Sequence, residues 1–157
     1  MKWQVISIGK SHDALFVKGI EEFTDRISRY YKIQWQIIAP PKNAAALQEE
    51  ALKKEEAQLI LKQLQELDYV VLLDERGKIL SSPELAQTLD PTQLGRFQRV
   101  VFIIGGAFGV DSSVQKRANL IWSLSKLVFP HMLVRLILAE QLYRACTIQR
   151  NEKYHHL

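Results

Sequence analysis

Few residues in this chain have types and spacing suited to chemistry. Residues 102–109, Phe-Ile-Ile-Gly-Gly-Ala-Phe-Gly, carry an apolar run into a glycine loop. Such loops cradle phosphates when Lys-Ser/Thr follows, because the lysine neutralises charge and the hydroxyl reaches magnesium. Neither residue follows here. A dinucleotide fingerprint needs G-x-G-x-x-G and an acid about 20 residues on. Ile104 stands before Gly105, which leaves G-G-x-x-G without that acid. On the glycines alone, Gly105, Gly106 and Gly109 read as a tight turn that permits positive φ or close approach to the backbone. The histidines are His12, His131, His155 and His156, and Cys146 is the one cysteine. No H-x-x-x-H or C-x-x-C spacing supports a metal site. No G-x-S-x-G marks a serine hydrolase. Cys146, within the apolar pattern LYRACTI, reads as core packing; Ser123 and Ser125 read as strand-end hydrogen bonders.

Polar groups with chemical potential gather late in the chain. Glu140 and Arg144 have helix ion-pair spacing, worth only ~0.3–0.5 kcal/mol. The same arginine is also placed to supply charge toward an RNA or a cofactor. Arg135 reads as surface charge, and His131, after Pro130, has capping and site roles both open. Chain ends commonly fray. An aromatic beside an imidazole, such as Tyr154-His155, is nevertheless what belongs beside an extruded base. Arg150 and Lys153 read as phosphate contacts or solvated charge. This inventory suits a reaction with neither metal nor covalent intermediate. Methyl transfer from S-adenosylmethionine is one such reaction, because the sulfonium already activates the methyl group and alignment is the main task.

The bounds agree. A chain of 157 residues with 47% hydrophobic content is about one domain and buries a sizeable core. A net charge of +4 and a pI near 9.2 permit a polyanionic partner without demanding one. No apolar run approaches the ~18 residues of a membrane span, and the N-terminus lacks a signal peptide's apolar stretch. A soluble cytoplasmic protein is expected.

These groups need elements to position them. VISI reads as a short strand ended by Gly9. Leu15, Ile20, Phe23, Ile27 and Tyr30 predict an amphipathic helix from Asp13 to Tyr31, with Ser11 or Asp13 as its cap. KIQWQII alternates as a half-exposed strand, and residues 43–67 read as one long charged helix with a solvated face. YVVLLD and RVVFIIGG are uniformly apolar, as buried parallel strands are. Between them ERGK reads as a turn, and Ser82-Pro83-Glu84 as the capped start of a helix to about Leu89. Asp111 caps a further helix, LIWSLSKLVFP is a third apolar run, and residues 131–148 form the last helix. Alternating strands and helices give an α/β domain over residues 1–157, with a mainly parallel sheet and helices on both faces. Ligands of such sheets sit at the carboxyl ends of the strands. Three ends are conspicuous: Leu73, Gly105 and Leu124–Phe129.

IIGGAFG, SLSKLVFPHMLVRLILAEQLYRA and the terminal YHH, with ISIGK, LLDERGK and LSSPELA, resemble the ribosomal large subunit methyltransferase H family across essentially the whole chain. That family belongs to the SPOUT class of trefoil-knot methyltransferases. The resemblance implies a C-terminal trefoil knot, which a rule against threaded chains would not suggest. It implies a homodimer that binds S-adenosylmethionine and methylates N3 of a pseudouridine in 23S ribosomal RNA within the assembled ribosome, with no metal and no membrane. The cofactor residues it implies are Leu73, Gly105, Leu124, Ser125, Lys126, Leu127, Val128 and Phe129; Arg144, Tyr154 and His155 are read beside them as the catalytic residues. The segments near Trp3 and Trp122 are either dimer surface or core. One departure is His156, where the family usually has Arg or Lys; it makes a phosphate contact there weaker and pH-dependent. Two other readings stay open: a non-catalytic RNA-binding or ribosome-binding module and a nucleotide-binding oxidoreductase.

Overall fold

The computed structural model describes residues 1–156; Leu157, the last residue of the tail, lies outside them. Five strands form one sheet: β1 (Lys2–Ile8), β2 (Lys32–Ile38), β3 (Asp68–Ile79), β4 (Arg99–Ile104) and β5 (Leu120–Ser123). Their order is β2-β1-β4-β3-β5 and every pairing is parallel. Six helices connect and follow the strands: α1 (Val17–Ile27), α2 (Glu49–Leu61), α3 (Ser82–Thr88), α4 (Pro91–Leu94), α5 (Ser112–Arg117) and α6 (His131–Gln149). Strand residues alternate between the two faces. Trp3, Val5, Val71 and Phe102 pack with Ile27, Leu85 and Leu138 of α1, α3 and α6. Ile6, Leu72, Val101 and Ile103 pack with Ala57, Ile60 and Val114 of α2 and α5. Both faces are covered, which is why β4 is apolar at every position from Val100 to Ile104.

Local expectations shift in four places. The α1 helix begins at Val17, because the Asp13 carbonyl accepts from both Phe16 and Val17 in a preceding turn; it ends at Ile27, and Tyr31 then stacks on Trp3 at 4.3 Å. The 43–67 pattern divides into a 3₁₀ turn, Ala44–Ala46, and α2. Ser81, not Ser82, caps α3: its hydroxyl accepts from Glu84 N, while the Glu84 carboxylate accepts from Ser81 N. Residues 74–77 do not end β3. They bulge out between Leu73 and Lys78, which both pair with Trp122, and the strand resumes to Ile79. Trp3 and Trp122 are both core residues, 1% and 3% exposed, so neither supplies dimer surface.

Glycine at position 77 makes the bulge possible. A Cβ there would lie 2.6 Å from the Ile121 carbonyl oxygen and 2.8 Å from Trp122 N. Those are backbone atoms of β5 and cannot swing aside. Overpacking of this kind costs ~1–3 kcal/mol. For a chain of this size Gly77→Ala is therefore expected to lower the melting temperature by about 5 °C, measured by circular dichroism. An unchanged melting temperature would mean that β5 is not packed against the bulge.

Candidate active site

Three neighbouring strands, β4, β3 and β5, deliver their carboxyl ends to one cavity of about 630 Å³, within the size range of small-molecule sites. Leu73, Gly105, Leu124, Ser125, Leu127, Val128 and Phe129 line it, so the three expected strand ends converge. Lys126 is not among the lining residues. Leu127 N donates to Ser125 Oγ at 3.0 Å, and Ser123 Oγ donates to the Ser125 carbonyl at 2.8 Å. This tight turn leaves Lys126 exposed to solvent. Asp74 and Arg76 of the bulge and Glu49 and Lys53 of α2 add charge to the wall. Arg76 donates to Asp74 from its backbone and guanidinium, which holds that carboxyl below the ordinary range.

The glycine loop is shaped by protein atoms as well as by the cavity. At Gly105 a Cβ would meet Val110 Cγ1 at 2.5 Å and the Gly109 carbonyl at 3.3 Å. At Gly106 it would fall 2.5 Å from the carboxylate of Glu56, a buried group whose pKa burial raises. Gly109 alone of the three has positive φ, at 85°, and its N–H returns to the Gly106 carbonyl.

A second cluster sits at the far end of α6. The Arg144 guanidinium grips the Glu140 carboxylate at 3.1 and 2.5 Å, lies 4.7 Å from the centre of the Tyr154 ring and approaches His155 Nδ1 at 3.2 Å. Tyr154 donates to the same Glu140 oxygen at 3.0 Å; burial and then this bond raise its phenol pKa. The tail is not frayed: Asn151 turns it at φ 55°, Glu152 N donates to the Thr147 carbonyl, and Tyr30 donates to Glu152 at 2.6 Å. A guanidinium only donates, so His155 Nδ1 accepts and the imidazole hydrogen sits on Nε2. Arg144, Tyr154 and His155 therefore come together as expected. They do not meet the cavity within one chain. Val134 lines the cavity, and the ten residues from it to Arg144 span about 15 Å of helix.

Arg135 escaped the sequence reading. It is fully buried, not a surface charge. Its Nε donates to Ser7 Oγ at 3.1 Å, and its Nη1 lies 2.8 Å from the Lys10 carbonyl and 3.2 Å from His12 Nδ1. The signal was present: Arg135 stands three and seven residues before Leu138 and Leu142, which puts it on the apolar face. His131 also lines the cavity, and its Nε2 lies 3.4 Å from Ser7 Oγ. Among the described residues no group of His, Cys, Asp and Glu is arranged to hold a metal, and no helix is long and apolar enough to cross a membrane.

Comparison with known proteins decides the family. The profile described as "Predicted SPOUT methyltransferase" matches residues 1–155. The chain belongs to the SPOUT methyltransferase family. Relatives named Ribosomal RNA large subunit methyltransferase H align nearly end to end with this SPOUT chain. One from Cytophaga hutchinsonii is 43% identical over 99% of this chain and 100% of its own. Others from Parabacteroides distasonis and Geotalea daltonii are each 42% identical over 99% of this chain, and over 99% and 100% of their own lengths. Within this SPOUT methyltransferase Cys146 is fully buried, and burial pushes its thiol up to about 12. The native protein is expected to leave an aromatic disulfide reagent unreacted at pH 8 and to consume one equivalent after denaturation. Fast reaction of the native protein would contradict the core-packing role of Cys146.

Proposed function

We propose that this chain, a single SPOUT domain over residues 1–157, transfers a methyl group from S-adenosylmethionine to N3 of a pseudouridine in 23S ribosomal RNA. It works in the cytoplasm as a homodimer, on large-subunit RNA in the assembled ribosome. The observation that carries this reading is the convergence of Leu73, Gly105 and the 124–129 loop on one cavity. These are the segments that lie against the cofactor in the family resembled, and the near full-length relatives bear the name of a ribosomal RNA methyltransferase. The C-terminal trefoil knot belongs to the same reading, and the close crossing of Gly77 over the β5 backbone fits it.

The cavity suits the cofactor. Its wall holds Glu49, Asp74 and Glu75 against Lys53 and Arg76, three carboxylates and two cations, or a formal −1 with His131 neutral. That balance opposes a polyphosphate, and with it the nucleotide-binding oxidoreductase, and favours a cationic sulfonium. A non-catalytic RNA module would have no use for the cavity. S-adenosylmethionine, when bound, supplies an activated methyl group.

The chain's own work is to orient the base and to ease loss of its N3 proton to solvent water. Arg144, locked by Glu140, projects a fixed positive charge. Such a preorganised field makes an adjacent N–H more acidic and stabilises the resulting anion. His155 adds an N–H donor through Nε2. The Tyr154 ring offers a stacking surface worth roughly 1–3 kcal/mol per base. Exposed Arg150, Lys153 and His156 are placed to meet phosphates.

Because the α6 cluster lies about 15 Å along the helix from the cavity, a second copy brings its tail to the first copy's cofactor. Exposed Phe108, Leu127 and Val128 at the mouth supply apolar surface for that contact. Two variants test the division of labour. Gly105→Val, which collides with Val110, is expected to abolish S-adenosylmethionine binding in titration calorimetry. Deletion of residues 154–157 is expected to preserve that binding while lowering methyl transfer to assembled ribosomes by at least about a hundredfold. Full transfer by the truncated protein would remove the tail from the chemistry, and unchanged affinity of Gly105→Val would remove Gly105 from the site.

A further inference from the structure

His131 is held from behind in a way that methyl transfer by the α6 tail leaves unused. Ser7 and Arg135 are both fully buried. The guanidinium can only donate, so Ser7 Oγ accepts its Nε–H at 3.1 Å. A buried hydroxyl then needs an acceptor for its own hydrogen. His131 Nε2, at 3.4 Å, is the acceptor in reach among the described residues. With Nε2 accepting, the imidazole is neutral and carries its hydrogen on Nδ1. That nitrogen is not among the sealed, unpartnered atoms of the core, and the residue lines the cavity.

We propose that His131 is a neutral hydrogen-bond donor to an oxygen of S-adenosylmethionine, on its carboxylate or its ribose, and that Ser7 and Arg135 are positioning residues that keep it in that state. This rests on the cofactor reading above. In this relay His131 does not act as a base, since its lone pair is turned to Ser7.

Neutrality is what the ligand requires. A sulfonium is a fixed positive charge, and an imidazolium in the same cavity would repel it. Burial first, and the charge of Arg135 second, hold His131 below the ordinary imidazole range. The other charged groups around it are Glu49 and Lys53 from α2 and Asp74, Glu75 and Arg76 from β3, which share the cavity. Behind it stand Arg135 and, beyond the guanidinium, His12 and Asp13. His12 is likewise held low by burial and by Arg135, but it contacts the relay only through Arg135, so substitution of His131 separates the two.

The sign of the pH effect follows. Groups that favour neutral imidazole lower its pKa, so His131 stays uncharged at neutral pH and charges only on acidification. Acid should therefore weaken binding of S-adenosylmethionine more than binding of S-adenosylhomocysteine, which lacks the sulfonium charge. The experiment is titration calorimetry of the full chain with both ligands and with methylthioadenosine between pH 5 and 8. In the wild type the affinity ratio of the two ligands is expected to shift toward S-adenosylhomocysteine by several-fold as the pH falls. His131→Gln, which donates but cannot charge, should flatten that ratio. His131→Leu should weaken S-adenosylmethionine by about three- to tenfold at pH 7.5. Persistence of that loss with methylthioadenosine assigns the bond to the ribose; its absence there assigns it to the carboxylate. Ser7→Ala removes the bond that favours the neutral ring and should move the onset of weakening to higher pH, which a purely structural role would not do. If the wild type binds neither cofactor form, the cavity reading falls and takes this one with it. If it binds both while His131→Gln keeps the wild-type pH dependence and His131→Leu keeps its affinity, the relay alone is overturned.

Discussion

The contact of Arg135 with Ser7 sets where α6 lies on the sheet, and both halves of the site follow from that placement. A buried guanidinium retains its charge and is costly to leave without acceptors, and of the Arg135 nitrogens only Nη2 lacks one. Ser7, the Lys10 carbonyl and His12 meet it at the carboxyl end of β1, next to β4 in the sheet. No carboxylate pairs with it among the described residues, so these partners add direction to the apolar packing of Leu138, Leu142 and Ala145. The first turn of α6 then reaches the cavity with His131 and Val134, and its last turns carry Glu140, Arg144 and the returning tail.

The site reads as two specialised parts on one rigid rod. The cavity end is shaped by backbone: a glycine loop folded over Val110 and Glu56, a bulge at Gly77, and a tight turn at Ser125. It offers one excess negative charge and an apolar rim, which suits a ligand with an adenine and a sulfonium. The tail end is shaped by side chains and is cationic, which suits RNA. On the proposed reading, separating them keeps the positive field of Arg144 away from a positive cofactor until a second chain would bring the two ends together.

Much of the architecture was legible because burial writes itself into composition. YVVLLD and RVVFIIGG are apolar on both faces, since helices cover both sides of β3 and β4. The convergence of Leu73, Gly105 and the 124–129 loop followed from the rule for parallel sheets. Other features depend on contacts far apart in the chain. ERGK has the composition of a turn, and only the β5 backbone beneath Gly77 makes it a bulge within a strand. Ser82 sits where a cap belongs, yet the reciprocal bonds of Ser81 and Glu84 move the cap by one residue. Arg135 was misread through its charge, although its spacing from Leu138 and Leu142 marked the buried face. Lys126 turns away from the cavity that its neighbours line, because the sequence does not show which residue a turn points outward.

The central claim is that one chain's cavity works with the other chain's tail. Two inactive variants, Gly105→Val with a spoiled cavity and Arg144→Ala with a spoiled tail, are unfolded together, refolded and assayed for methyl transfer to assembled ribosomes. Each mixed dimer would hold one intact composite site, so an equal mixture should recover about a quarter of wild-type activity. Activity that stays at the background of the separate variants, in a mixture shown to contain mixed dimers, would contradict the account.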